Sequence, residues 1–416
     1  MDETVAKVRE TVSRVRAGVG IKQGAFGKRR RELGAQNRHG NDELTAGTHQ
    51  FILTTGPKNL HAATKAKLLE GIKADNMAPY YVLVCEELKI PQDVALLAAM
   101  RAANEAELKR LEEKLEDAQT NLGETDISDA LIAKAEYLSK IGDKEKALTA
   151  YRVALEKTGP LGHRIDLIFA TIRIGFFFTD NDLISRNIDK AKTLIEEGGD
   201  WDRRNRLKVY EGIFKISIRD FKGAVDILLE TLATFTSTEL MEYKEFVKYC
   251  ILTAAITLSR PDFKEKVINA PEILEVIDDL PDLAEYSSSF YKCDYAKFFK
   301  SLAAVEGVLK LDRYLHAHHR YYVREMRITV YAQLLESYRS LTIESMANSF
   351  GVTEEWIDSD LSKYIAAGRI NAVIDKVGGI VETNRPDAKN AQYQASIKQG
   401  DLLLNRIQKL SRVISV

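Results

Sequence analysis

The stretch LTIESMANSFGVTEEWIDSDLSKYIAAGRINAVIDKVGGIVETN, residues 341–384, decides what kind of chain this is. Over 341–350 the apolar residues Ile343, Met346, Ala347 and Phe350 recur at three- and four-residue spacing, the period of a helix with one buried face. Gly351 supplies a turn, and Thr353 is placed to cap a second helix whose apolar side carries Trp356, Ile357, Leu361, Tyr364 and Ile365. Gly368 stops that helix. Apolar runs at 370–374 and 380–383 flank a Lys-Val-Gly-Gly turn at 376–379, which is hairpin chemistry. Helix, turn, helix and hairpin in this order predict a winged helix. Yet the helix that would enter a DNA groove carries Glu354, Glu355, Asp358 and Asp360 against Lys363 alone. Phosphate neutralisation dominates DNA affinity, so this charge argues for docking to protein and against nucleic acid.

Beyond the hairpin, residues 386–416 set Leu403, Ile407, Leu410 and Ile414 at coiled-coil spacing. Such a stripe must be covered, either by the chain's own winged helix or by a partner helix. Before the winged helix, residues 126–335 read as helical repeats. Tyr137, Ile141-Gly142-Asp143 and Ala147 are answered by Phe214, Ile218-Arg219-Asp220 and Ala224. A weaker middle copy falls around Ile174-Gly175, Asp180-Asn181-Asp182 and Ala191, with steps of 39 and 38 residues when Asp182 is taken between Asp143 and Asp220. Small residues let paired helices approach while aromatics fill the gaps, so the expected architecture is a tetratricopeptide-like, right-handed α-solenoid. Residues 46–125 are expected to form N-terminal helices, with Leu108, Leu111, Leu115, Ala118 and Leu122 as a narrow seam on a charged helix. The first 45 residues differ. Gly18, Gly20, Gly24, Gly27, Gly34 and Gly40 punctuate a basic run, Lys28 to Arg31, which predicts a mobile extension.

Composition narrows function by exclusion. Sixty Lys and Arg residues nearly cancel 61 Asp and Glu in 416 residues, so no global field points to a polyanion or a membrane. Only 8 prolines and long helical periods favour an all-α chain with the hairpin as the exception. Cys85, Cys250 and Cys293 are odd in number and far apart, which suits a reducing compartment better than a disulfide framework. No apolar run approaches the roughly 18 residues that span a bilayer.

Chemistry is hard to place. His316, His318 and His319 form the one histidine cluster, but two imidazoles do not hold a catalytic zinc, and a His-x-His hydrolase pattern needs Ser and Asp where Met326 and Thr329 stand. The chain has no nucleophile elbow and no phosphate loop, so neither catalysis, cofactor nor metal is expected. The most unusual polar run is Asp200-Trp201-Asp202-Arg203-Arg204-Asn205-Arg206. It fits a helix start with intramolecular ion pairs, and it also fits an interface patch, because Trp and Arg are enriched in hot spots.

Helical repeats running into an acidic winged helix and a terminal helix resemble the PCI-domain proteins. More specifically, Met77-Ala78-Pro79-Tyr80-Tyr81, the run around Trp201, Arg320-Tyr321-Tyr322-Val323-Arg324-Glu325-Met326-Arg327, and the stretches 334–341, 381–387 and 400–414 are similar to the non-ATPase subunits of the 26S proteasome regulatory particle lid. The likeness covers about residues 50–416 and leaves out the basic arm. It implies a non-catalytic scaffold, found in cytoplasm and nucleus, that supports lid assembly and ubiquitin-dependent degradation. Implied partners are other PCI and metalloprotease-like lid subunits, the regulatory-particle ATPases and the proteolytic core. By the same resemblance, Val373, Ile374, Ile380 and Val381 of the wing (winged helix 336–385) would extend a neighbour's sheet, and Leu403, Ile407, Leu410 and Ile414 would enter a helical bundle. Trp201, Arg203 and Arg204 stand beside these as interface candidates. A signalosome scaffold shares the domain order, and a translation or nucleic-acid role would use the basic arm.

Overall fold

The computed structural model describes residues 38–384 and 389–414, and these divide into two units. The first holds the residues up to Leu280 together with Glu306–His319; the second holds Pro281–Val305 and the residues from Arg320 onward. The described residues are all-α apart from one three-stranded sheet.

In the first unit each helix lies against the next in sequence: Arg38–Thr55, Lys58–Ala74, Ala78–Leu88, Val94–Asn121, Glu124–Lys140, Lys144–Lys157, Leu161–Phe178, Asn181–Gly198, Trp201–Ser217, Phe221–Thr231 and Tyr243–Thr257. Such sequential packing is the α-solenoid that the repeat pattern predicts. The paired helices turn on one device. Gly142, Thr179 and Arg219 take the left-handed conformation at φ +78, +53 and +69°, and each is followed by an aspartate. The aspartate amide bonds back to the carbonyl five residues earlier, at 3.2 Å for Asp143, 2.9 Å for Asp180 and 2.8 Å for Asp220. Its side chain then caps the next helix by accepting from the amide three residues on, at 3.2, 3.1 and 3.0 Å respectively.

The aspartate of the middle copy is therefore Asp180, not Asp182, and the steps become 37 and 40 residues. That copy is weak in sequence because its small residue has changed sides. Ala147 and Ala224, four positions after their aspartates, are matched by the larger Ile184, and Gly175 on the facing helix makes room. A Cβ at Gly175 would lie 2.7 Å from Ile184 Cγ1.

Two expectations need correction. Residues 38–45 belong to the helix Arg38–Thr55, with Leu44 and Ala46 buried; the rest of the expected extension, 1–37, lies outside the described residues. Glycine misled here: Gly47 is no breaker but the point where the helix backbone meets the Arg313 guanidinium. The charged helix also begins earlier than its seam suggests, at Val94, and buries Leu111 and Ala118 while Leu122 is exposed.

The second unit starts at Pro281, so the winged helix does not stand alone from residue 336. Phe350 of the first winged-helix helix, Ile343–Phe350, stacks on Phe299 at 4.8 Å and meets Tyr295 and Tyr331, both at 5.0 Å. Tyr295 and Phe299 belong to the helix Tyr295–Leu311, Tyr331 to His319–Ser337. Aromatic burial on this scale joins the module to the helices before it. The helix Pro281–Lys292 ends on the same turn as the repeats, with Cys293 at φ +60° and Asp294 accepting from the Lys297 amide.

Candidate protein interface

Two local features of the winged helix follow from sequence as expected: Gly351 turns at φ +66°, and Gly368 ends Glu354–Ala366 at φ +68°. The side-chain cap stands elsewhere than expected, at Thr342, which accepts from the Ser345 amide at 3.2 Å and starts Ile343–Phe350. Thr353 stands at the N-cap position without a side-chain bond. The sheet is larger than the hairpin. A strand β1, Ser340–Thr342, precedes the helices and pairs antiparallel with β3, Ile380–Thr383, which pairs on its other side with β2, Ala372–Asp375.

The order β1-β3-β2 overturns part of the expected edge. Val381 sits on the middle strand between Leu341 and Ile374 and is 0 % exposed, so it is core. Ile380 lies on the same middle strand, half-buried. The edges are β1 and β2; on β2 Val373 is 53 % exposed, and the strand runs into a tip where Val377 is fully exposed. An edge strand bearing apolar residues invites a further strand.

The acidic helix is only half as acidic to solvent as its sequence. Asp360 is buried, accepts from the Tyr331 hydroxyl at 3.2 Å and faces the Arg327 guanidinium at 3.8 Å. Burial, and then the Asp360 carboxylate, push the Tyr331 hydroxyl well up, so it stays a donor. Asp358 pairs with Lys376 of the wing turn at 3.1 Å. Glu354 and Glu355 are exposed.

The run Arg320 to Arg327, which in sequence carried a family likeness but no physical role, helps to hold this module. Tyr322 shares a 2.8 Å hydroxyl bond with Tyr286; Glu325, buried, pairs with Arg369; Arg327 lies over the Trp356 ring at 5.3 Å. No sequence signal could assign these pairs, because each joins residues dozens of positions apart.

The terminal helix Lys389–Ile414 is the opposite case. Leu403, Ile407, Leu410 and Ile414 are each more than half exposed, as are Tyr393, Ile397 and Leu402. Nothing among the described residues covers the stripe.

In the first unit, Trp201 is 63 % exposed at the head of its helix. Arg203 is drawn inward: it clasps Asp166 with two bonds of 3.0 and 2.7 Å and holds Asp200 at 2.5 Å. Asp200 is thus at the N-cap but bound to Arg203 instead of capping. Arg206 pairs with Asp202 at 3.0 Å, while Arg204, three residues after Trp201, is exposed. The histidines are occupied by carbonyls: His316 Nδ1 lies 2.7 Å from Lys310 O and His318 Nε2 2.8 Å from Ser217 O. No metal-holding group of side chains occurs among the described residues.

Residues 93–266 match the family model described as 26S proteasome subunit RPN7, 297–385 that of the PCI domain, and 392–414 that of the 26S proteasome regulatory subunit RPN7/PSMD6 C-terminal helix. The chain is 51 % identical over 385 residues to the 26S proteasome non-ATPase regulatory subunit 6 homolog of Arabidopsis thaliana, covering 92 % of this chain and 98 % of the relative. It is 50 % identical over 350 residues to non-ATPase regulatory subunit 6 of Dictyostelium discoideum, covering 84 % and 92 %. To regulatory subunit RPN7 of Saccharomyces cerevisiae it is 39 % identical over 391 residues, covering 88 % and 91 %.

The chain belongs to the RPN7/PSMD6 family of 26S proteasome regulatory subunits. The names of these RPN7/PSMD6 relatives decide between the lid and the signalosome readings. The PCI match starts at 297, inside Tyr295–Leu311, in keeping with a module that includes the helices before the wing. The RPN7/PSMD6 helix match covers nearly all of the exposed terminal helix.

Proposed function

We propose that this chain is a non-catalytic scaffold of the proteasome regulatory-particle lid, supporting lid assembly and ubiquitin-dependent degradation through protein contacts. The observation that carries the reading is the bare apolar stripe of the terminal helix, placed after a PCI module in a chain that matches RPN7/PSMD6 relatives almost end to end. A stripe of this width in water is stable only when another helix covers it. The partners are other PCI and metalloprotease-like lid subunits, and beyond them the ATPases and the proteolytic core. Leu403, Ile407, Leu410 and Ile414 enter a shared helical bundle, while Val373 and Ile374 on the β2 edge meet a neighbour's strand. Trp201 and Arg204 are secondary contacts. The compartments are cytoplasm and nucleus, consistent with three free cysteines, two of them buried.

Replacing Leu403, Ile407 and Leu410 together by Asp tests this. The isolated variant keeps its helical circular dichroism and melting temperature but fails to co-purify with lid subunits. Normal incorporation of a folded variant would refute the bundle assignment.

A further inference from the structure

The chain leaves the second unit after Val305, contributes Glu306–His319 to the first unit, and returns at Arg320. Within that excursion a short polar segment, 312–318, takes hold of several first-unit helices. Asp312, buried, accepts from Lys248 Nζ at 2.6 Å and from the Tyr249 hydroxyl at 2.8 Å. Its other oxygen receives the amides of Tyr314 and Leu315 at 3.0 and 3.2 Å, which fixes the turn that ends Tyr295–Leu311. Burial, and then this carboxylate, hold the Tyr249 hydroxyl well above its ordinary range, so it remains a donor.

Arg313 donates to the carbonyl of Phe177, in the last turn of Leu161–Phe178, and its guanidinium rests on Gly47. His318 reaches the carbonyl of Ser217, the last residue of Trp201–Ser217. Helix C-terminal carbonyls lack intrahelical donors and carry partial negative charge, so Arg and His are apt partners there. One segment thus closes the ends of two repeat helices and anchors on a third. The seat is incompletely filled: a cavity of about 300 Å³ lies against Asp312, Arg313, Lys248 and Tyr249, and Arg313 Nη1 is buried without an acceptor.

We propose that 312–318 is a releasable clasp, keyed by Asp312, that fastens the excursion Glu306–His319 to the helical repeats of the first unit. Its grip combines charge-assisted polar contacts beside a void with a small apolar part, the buried Leu315 and the Tyr314 ring against Phe176 and Tyr249. Such contacts can open as a local unit, whereas a continuous apolar core melts only with the domain. This device is independent of the lid reading, since it concerns the chain's own contacts.

Hydrogen exchange on the full-length chain tests it. In Asp312→Ala, amides of 306–319 exchange about a hundredfold faster, as expected from removing one partner of a buried pair, while 164–176 and 343–366 stay within about threefold of the parent. Unchanged exchange at 306–319 would show that Asp312 does not key the segment. Loss of protection at all three places together would show that the segment is ordinary core. Should that variant be insoluble, Asp312→Asn with Lys248→Met removes both charges and leaves an acceptor for the Tyr314 and Leu315 amides. The same comparison of three segments then decides.

Discussion

The helix Leu161–Phe178 and the terminal helix Lys389–Ile414 are both built on apolar residues, and they end in opposite environments. The first buries Ile165, Leu167 through Ala170, Ile172, Ile174 and Phe176 against helices of its own unit, with Phe169 stacked on Tyr210 at 5.0 Å. The second leaves its stripe in water. What separates them is the width of the apolar surface. A helix apolar nearly all round has neighbours on several sides, as a helix inside a stacked array does, whereas a narrow seam between charged faces needs one companion. Periodicity shows that a face must be covered, and its width indicates how many elements cover it.

The contrast can be broken at both ends by substitution. Phe169→Ala removes a buried ring and lowers the stability of the isolated chain by about 3–5 kcal/mol, measured by chemical denaturation. Ile407→Asp in the same assay changes it by less than about 0.5 kcal/mol, because the position is already wet. A large loss from Ile407→Asp would mean that the terminal helix is covered by its own chain. A smaller effect tests the close approach between helices. A Cβ at Gly212 would fall 2.5 Å from Leu228 Cδ2, so Gly212→Val costs about 1–3 kcal/mol through overpacking, seen as a lower melting temperature.

The smallest effect lies in the turns. The Lys144 ammonium at 2.8 Å, and then the Leu183 amide, hold the Asp180 carboxyl below its ordinary value of 3.8. A carboxyl depressed in the folded state contributes stability that is present above the unfolded value and lost as pH falls through the folded one. Asp180→Asn keeps a capping oxygen and removes the charge. Its stability deficit against the parent is therefore largest near neutrality and shrinks as the pH drops below about 4, followed by urea midpoints across that range.

Much of this was legible in the sequence wherever the determinant is local. Gly351, Gly368, Asp143 and Asp220 act within a few residues of where they stand, and their places follow from residue type and spacing. The register of the middle repeat is obscure in sequence because Ile184 stands where the other copies have Ala147 and Ala224, and the small residue lies instead on the facing helix at Gly175. Strand β1 escaped notice since three residues show no periodicity, and its pairing with Glu382, Val381 and Ile380 is distant. The acidic helix was overestimated for a similar reason. Asp360 is turned inward to Tyr331 and Arg327, roughly thirty positions away, and no local pattern announces such partners. Of the interface candidates, Val381 is buried in the sheet and Arg203 is bound to Asp166 inside the chain.

The sheet order β1-β3-β2 has a consequence for synthesis. The strand that lies in the middle of the sheet is the last of the three to leave the ribosome, so the two outer strands wait without a common partner until residue 383 has emerged. The terminal helix follows at once in the chain. Any molecule that offers that helix to the outside has already been translated through the strand that completes the winged helix, and the order of synthesis places the adhesive part behind the part it must report on.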